Sequence, residues 1–400
     1  MLRALVTITF FCMALPAAAA TPDPDEILAS GKFAEGIVAL EAHLKQQPKD
    51  DKARFGLGLI QFVQSAQSLI QRYSIYGVQT RGNAQLQEIL AVQSAPKEPL
   101  TYPLVRQITQ EWLDDLSRID ETLSRIESEE VKLALHVGRI PLSLTRNGGP
   151  TVTLLPLLRD FRLGPPSREA DFEIVFDRAD VDWLRGYCHI LRAIGEMILS
   201  HDSQGLFDVI AHRIFKHVKT PHEFLLEPRR SSNQGWWDWE EIADIIAAIH
   251  MIRFPVIEPK RMIVALDHLE HTLSFSREMW KRVLAETDDD HEWIPNPKQN
   301  GAINVNVSQE MIDNWLQAVD EAESVLKGKK LVPFWRGNPT RGVNVRRVFL
   351  EPTQLDLVLW IQGTAATPYL EVGESSSPDT WERINRAFGG RFFGFGFWFN

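Results

Sequence analysis

The residues best suited to proton transfer lie on one predicted helix near the middle of the chain. Four polar side chains recur there at intervals of three or four residues: Arg185, His189, Arg192 and Glu196. This spacing places them on one helix face. A histidine among cations and a carboxylate can have a shifted pKa and act as a general acid or base, which makes His189, Arg192 and Glu196 candidate catalytic residues. The same pattern also describes a salt-bridged face that packs on neighbouring helices, and this second interpretation is favoured.

A second candidate site comes from the histidines, of which the chain has eleven. His268 and His271 are spaced to lie on one turn of a helix, and Asp267, Glu270 and His291 are near enough in sequence to complete a ligand set. Zinc needs three or four such donors. The His-Glu-x-x-His signature of catalytic zinc helices is absent, and paired histidines on an amphipathic helix are more often structural. We therefore predict no metal and no other cofactor.

The acidic loop from Asp288 to Glu292 suggests calcium, which prefers oxygen ligands. An EF-hand loop needs a glycine at its sharp turn and a glutamate at its last position. Trp293 and Gln299 stand at those places. The sequence therefore favours a solvated loop.

Tryptophans and acids alternate in a third stretch, which gives five candidate binding residues: Trp236, Trp237, Asp238, Trp239 and Glu240. Such a cluster can stack on a sugar ring or hold a cation. Aromatic clusters more often fill a core, and a core position is the favoured interpretation here. Signatures of serine hydrolases, phosphate-binding loops and dinucleotide-binding folds are absent.

Helices must position these residues. The central one is predicted over Val181–Leu199 with Asp180 as its N-cap, because apolar residues recur at helical spacing. Similar patterns predict helices over 108–126, 242–249, 261–284 and 308–326. The predicted fold class is mainly α, an irregular helical array with a small C-terminal β-sheet.

The first helical segment after residue 20 has turn and stop residues at recognisable positions. Gly31 and Phe33 open a helix, Pro48 closes it, and a Leu57-Gly58 pair lies in the next one. Residues 27–62 thereby resemble a tetratricopeptide repeat, in which glycine permits the tight turn and proline ends the helix. The resemblance implies a helical hairpin. Because clear further copies are missing, this hairpin must pack against the helices that follow.

Residues 1–20 are predicted to be a secretory signal peptide. Arg3 precedes an apolar run from Ala4 to Leu15, and Ala18 and Ala20 supply small residues for cleavage after Ala20. An uncleaved anchor is disfavoured because the run is shorter than the ~20 residues that span a bilayer. No later stretch is long enough to be a transmembrane helix. We therefore expect a periplasmic or secreted protein, and the formal charge of −10 disfavours a nucleic-acid partner.

Turn-rich stretches at 147–150 and 164–167 divide the remainder. The predicted regions are 21–146 (tetratricopeptide-like helices), 147–332 (central helices) and 333–400 (small α+β region). Alternation from Val343 to Phe349 and an apolar run from Leu355 to Ile361 predict two strands. The terminal Phe393–Asn400 alternates aromatic residues and is predicted to pair with that sheet; peripheral membrane contact through it is the disfavoured alternative.

Two functions remain open on the sequence alone. The favoured one is an exported helical scaffold that binds a protein partner of the bacterial cell envelope. The alternative is a secreted hydrolase or lyase, with or without a metal, that uses the central histidine, tryptophan and glutamate residues. The two differ in whether those residues converge on a pocket.

Overall fold

The computed structural model of the 400-residue chain describes residues 21–79, 96–146, 151–154, 172–227, 239–302, 307–337, 340–388 and 395–396. Three helices open it: α1 (Pro24–Ser30), α2 (Phe33–Gln46) and α3 (Asp51–Ser74). Gly31 has a φ of 70°, the left-handed conformation that permits the turn between α1 and α2. Helix α2 ends just before Pro48, as predicted, and Asp50 caps α3 by accepting from the Ala53 amide.

Two long helices follow at the centre of the molecule. Helix α4 (Tyr102–Ser124) has the Thr101 side chain as its N-cap, and it buries the predicted stripe through Ile108, Leu116, Ile119 and Leu123. Helix α5 (Arg178–Ser200) begins three residues before the predicted start. Asp180 is not its N-cap: Asp177 is, and Asp180 lies in the first turn, where its side chain completes a capping box.

The remaining helices pack around this pair. They are α6 (Gln204–Ile214), α7 (Trp239–Met251), α8 (Pro259–Ala285), α9 (Gln309–Leu326), α10 (Val345–Leu350), α11 (Leu357–Gln362) and α12 (Pro378–Ala387). Helices α5 and α8 make the most extensive helix contact, and α4 lies against the other side of α5. Gly195 permits this close approach, because a Cβ there would stand 2.4 Å from the Leu113 side chain of α4.

The strands are short, and every named pair is antiparallel. β1 (Leu133–Leu135) pairs with β4 (Ile174–Phe176), and β2 (Pro141–Ser143) pairs with β3 (Thr151–Thr153). β5 (Arg253–Phe254) pairs with β8 (Leu355–Asp356). β7 (Arg341–Val343) lies between β6 (Val332–Pro333) and β9 (Leu370–Val372), with Gly342 opposite Glu371. The prediction of a mainly helical fold with a small β part is therefore confirmed.

The two predicted C-terminal strands are wrong in detail. Most of the first is helix α10, which Asn344 caps by accepting from the Arg347 amide. Most of the second is helix α11, which Asp356 caps by accepting from the Leu359 amide. A side-chain oxygen that satisfies a free helix N–H favours a helix over an extended strand.

A large apolar core runs from Leu28 to Phe395 and includes the fully buried Trp280. Phe395 packs in this core against helices α8 and α9, whereas the predicted terminal strand placed it on the 343–361 sheet. The other phenylalanines of that predicted strand lie outside the described residues. Among the helices that the structure describes, none is long and apolar enough to cross a membrane.

Candidate functional site

The structure brings two of the sequence-predicted histidines into direct contact. His189 of α5 and His268 of α8 are both buried, and their Nδ1 atoms lie 3.0 Å apart. The Nε2 atom of His189 lies 3.3 Å from Oδ2 of Asp120, which α4 supplies. One polar chain therefore crosses three helices at the centre of the molecule.

The direction of this chain follows from its acceptor end. Burial alone would raise the pKa of Asp120, but hydrogen bonds from His189 and Arg185 outweigh it and lower that pKa to about 2. The ionised carboxylate can only accept, so Nε2 of His189 donates to it. In the neutral form of that ring, Nδ1 accepts from Nδ1–H of His268. Nε2 of His268 is then a buried acceptor without a partner in the structure.

His268 is accordingly held in its neutral form. Burial, and next the positive charge of Arg192, lower its pKa to about 4. Arg192, a candidate catalytic residue, thus acts on His268 through its charge.

Glu196, the third candidate, does not join the histidines. It pairs with Arg261 at 2.7 Å, and Arg261 also donates to Gln110 and Glu258. This network ties α5 to the first turn of α8. Glu196 therefore has a structural partner of its own.

His271 lies at the edge of the histidine cluster. Its ring stacks on His189 with 4.9 Å between centroids, and its Nδ1 atom contacts the Asp267 carbonyl oxygen at 2.8 Å. The side chain is about half exposed. Among the described residues, His268 and His271 do not belong to a set of three donors close enough to share a metal ion.

A different set meets that distance requirement. Carboxylate oxygens of Asp177, Glu286 and Glu292 lie within 4.8 Å of one another and could hold a cation. Burial, and next the charge of Asp177, raise the pKa of Glu286 to about 9. Burial also raises the pKa of Glu292 to about 7. The acidic loop was visible in the sequence, but Asp177, which comes more than a hundred residues earlier, gave no signal of joining it.

The tryptophan-rich stretch is only partly described. Trp236, Trp237 and Asp238 lie outside the described residues. Trp239 is 73% exposed and Glu240 is exposed as well, so the predicted core position is wrong for Trp239. Helix α7, which they begin, has no buried residue over its whole length.

Helix α7 is oriented with its charged side toward the protein. Its Glu241 and Asp244 pair with Arg213 of α6 at 3.0 and 2.9 Å. The opposite side exposes Ile245, Ile246 and Ile249 to solvent, although an apolar face at helical spacing usually packs on a core. The two ion pairs occupy the inward side, and the isoleucines are therefore left outside.

Helix α11 continues this exposed surface. The β5–β8 ladder brings the end of α7 to the start of α11, where the Leu357 amide donates to the Ile252 carbonyl at 3.0 Å. Val358, Leu359 and Ile361 of α11 are exposed. We call the surface formed by these three residues and the three isoleucines of α7 the outer apolar face.

Comparison with known proteins adds no relative: no protein-family model, no curated protein and no solved structure matches the chain.

Proposed function

We propose that this chain is an exported protein-interaction scaffold that binds a protein partner of the cell envelope through the outer apolar face. The observation that carries the proposal is helix α7, which directs its ion pairs inward and its isoleucines outward. Exposed apolar side chains on two adjacent helices favour an interaction site, because water-exposed apolar area is unfavourable until a partner covers it.

A protein fits this surface better than a lipid bilayer. Helices that lie in a membrane interface carry lysines and arginines on their polar side, where they meet anionic lipid head groups. Helix α7 has no lysine or arginine in its sequence, and its polar side carries Glu240, Glu241 and Asp244. Glu241 and Asp244 pair with Arg213, and the exposed Glu240 would be repelled by anionic lipids, so the helix offers such lipids no attraction.

Two features of the sequence support the rest of the proposal. The signal-peptide pattern predicted at residues 1–20 supports export. The tetratricopeptide-like helices at 27–62 accord with a scaffold. The alternative, a hydrolase or lyase, has less support. His189 and His268 line none of the three large, mostly apolar cavities among the described residues.

Site-specific photo-crosslinking in cells tests the proposal. A photoreactive residue at position 246 or 361 is expected to yield one discrete protein adduct, because these side chains are 62% and 68% exposed on the outer apolar face. The matched control is position 38 on α2, which is 66% exposed but remote from that face.

The substitution Ile246→Glu should abolish the adduct at position 361 and leave the protein folded. Loss of protein adducts at both positions, with flotation of the purified protein on anionic vesicles, would show that the face binds lipid instead. Equal labelling at positions 38, 246 and 361 would show that the face is an unspecific surface.

A further inference from the structure

Three cavities with mostly apolar walls lie in the described part of the molecule. Two of them, of about 580 and 510 Å³, share Leu273, Ala322 and Trp381 between helices α8, α9 and α12. The third, of about 420 Å³, lies where the end of α5 meets α8, α10 and the β5–β8 ladder. We call it the α5-end cavity. Its volume falls in the range of small-molecule sites, which is about 300–1,000 Å³.

The polar groups of the first two cavities are already engaged or face solvent. The Thr272 hydroxyl donates to the His268 carbonyl, and the Ser376 hydroxyl accepts from the Trp381 indole. Glu382 and Asn385 are exposed. These two cavities could therefore enclose an apolar ligand, but they have few available polar groups to fix its orientation.

The α5-end cavity differs in having a buried side chain with a free hydrogen-bonding atom. His201 lines it and is 8% exposed. Its Nδ1 atom lies 2.9 Å from the Met197 carbonyl oxygen, which can only accept, and 2.6 Å from the Ser200 hydroxyl oxygen, whose own proton is donated to the same carbonyl. The proton of the neutral ring is therefore on Nδ1, and Nε2 is left as an acceptor. With Nδ1 engaged at the end of α5, Nε2 is the ring nitrogen that remains available to a molecule in the cavity.

The other polar side chains at this cavity have partners. The Thr353 hydroxyl lies 3.0 Å from the Tyr369 hydroxyl, and the Ser203 hydroxyl lies 3.5 Å from the Tyr102 hydroxyl. The Tyr369 hydroxyl donates to the Glu351 carbonyl at 2.9 Å and accepts from the Thr353 amide. The walls are otherwise apolar and include Met197, Met262 and Trp360. A water molecule would find too few polar partners here, since a buried water typically makes about three hydrogen bonds.

We propose that the α5-end cavity is a binding site for a small apolar molecule that carries one hydrogen-bond donor, a hydroxyl or an amide N–H, which Nε2 of His201 accepts. The methionine side chains can adapt to the outline of such a ligand. Ile194 and Ile198 of α5 form the partly exposed side of the cavity and provide its entrance. This site is distinct from the outer apolar face, because none of the six residues of that face lines it, although Trp360 of α11 does.

The test uses two probes of nearly equal shape, 4-propylphenol and propylbenzene, titrated calorimetrically into the full-length protein at pH 8, where free histidine is neutral. Both should bind saturably and raise the melting temperature. The phenol should bind about five-fold or more tightly than propylbenzene, the usual effect of one added hydrogen bond.

Two substitutions locate the site. Ile198→Trp at the entrance should weaken both probes by about ten-fold or more, because the larger ring occupies the cavity volume. Ile70→Trp is the matched control: Ile70 is also partly exposed on a helix, α3, and lines none of the three cavities. His201→Asn, which keeps a donor for the Met197 carbonyl, should remove the preference for the phenol without weakening propylbenzene.

Equal affinity for the two probes in the unsubstituted protein would overturn the role of His201. Absence of saturable binding, or binding that Ile198→Trp leaves unchanged, would overturn the site itself. Neither result bears on crosslinking at the outer apolar face.

Discussion

The Asp120–His189–His268 chain joins three helices through side chains that are largely removed from water. Each hydrogen bond in it has a defined direction, which begins at the ionised Asp120. Directional bonds of this kind are satisfied at one helix arrangement only, whereas apolar contacts tolerate small slips. The chain therefore fixes the register of α5 against α4 and α8.

This chain gives a pH dependence of stability whose sign can be worked out. The pKa of His268 is about 4 in the folded protein and about 6.5 for a free histidine. As the pH falls below 6.5, the unfolded chain takes up this proton first, so His268 lowers the free energy of unfolding progressively down to pH 4. We expect wild type to lose on the order of 3 kcal/mol more than His268→Asn between pH 7.5 and 4.

Urea denaturation of both proteins across this pH range measures the difference. Because the raised-pKa carboxylates Glu286 and Glu292 are unchanged in both proteins, their contributions cancel in the comparison. Parallel stability curves for the two proteins would contradict the buried, neutral state of His268.

The sequence located His189, Arg192 and His268 separately but could not join them. Helical spacing shows which residues share one face of a helix. It carries no information about which residues of other helices pack against that face. Asp120 received no attention because it lies on the polar side of another amphipathic helix, where acids are common. Convergence of this kind follows from tertiary packing, and only the structure supplies it.

At the scale of elements, α7 shows what an apolar pattern does and does not determine. The spacing of Ile242, Ile245 and Ile249 correctly predicted a helix. It does not determine whether the apolar face is buried, because the pattern shows that these side chains disfavour water and not which surface covers them. The ion pairs with Arg213 decide the orientation of α7, and Arg213 lies on a different helix, α6.

Arg213 is therefore expected to hold α7 to the rest of the molecule. Substitution Arg213→Met removes both ion pairs and leaves Asp244, with a side chain only 17% exposed, without this partner. The cost should be about 1–3 kcal/mol for local opening of α7. Amide hydrogen exchange should then become faster in residues 239–251 and remain unchanged in α5 and α8.

Arg118→Met is the matched control, because Arg118 makes an ion pair with Asp115 at the surface of α4. Such exposed pairs contribute about 0–1 kcal/mol. Uniform acceleration of exchange throughout the molecule would show instead that Arg213 supports the global fold.

Short C-terminal elements were predicted less well than long helices. The alternation from Val343 to Phe349 fits a strand, and it also fits a single amphipathic turn of helix. Local capping by Asn344 and Asp356 decides between them. Over so few residues, one side-chain hydrogen bond outweighs the period of the pattern.

At the scale of the whole molecule, one core joins residues from both ends of the described chain. Leu28 and Phe33 near the N terminus and Ile384 and Phe395 near the C terminus belong to the same cluster of buried side chains. Composition and length carry no information about this continuity between distant parts of the chain. Stability of the central helices should therefore depend on the C-terminal residues.

Phe395 provides the sharpest test of that dependence. Its ring centroid lies 4.7 Å from Phe388, 5.5 Å from Trp315 and 5.9 Å from Trp280, and the residue is 6% exposed. Phe395→Ala should reduce the free energy of unfolding by about 3–5 kcal/mol, because removal of a buried phenylalanine loses its transfer free energy and leaves a cavity. Urea denaturation followed by tryptophan fluorescence measures this change.

Phe224→Ala is the matched control: Phe224 is 67% exposed, so its loss should change stability by no more than about 0.5 kcal/mol. Trp280 and Trp315 come from helices α8 and α9, and α8 is also the principal contact of α5. If removal of the Phe395 ring destabilises the protein in one cooperative transition, the C-terminal contact supports the central helices directly. If Phe395→Ala and Phe224→Ala have the same free energy of unfolding, the core is stable without the Phe395 ring.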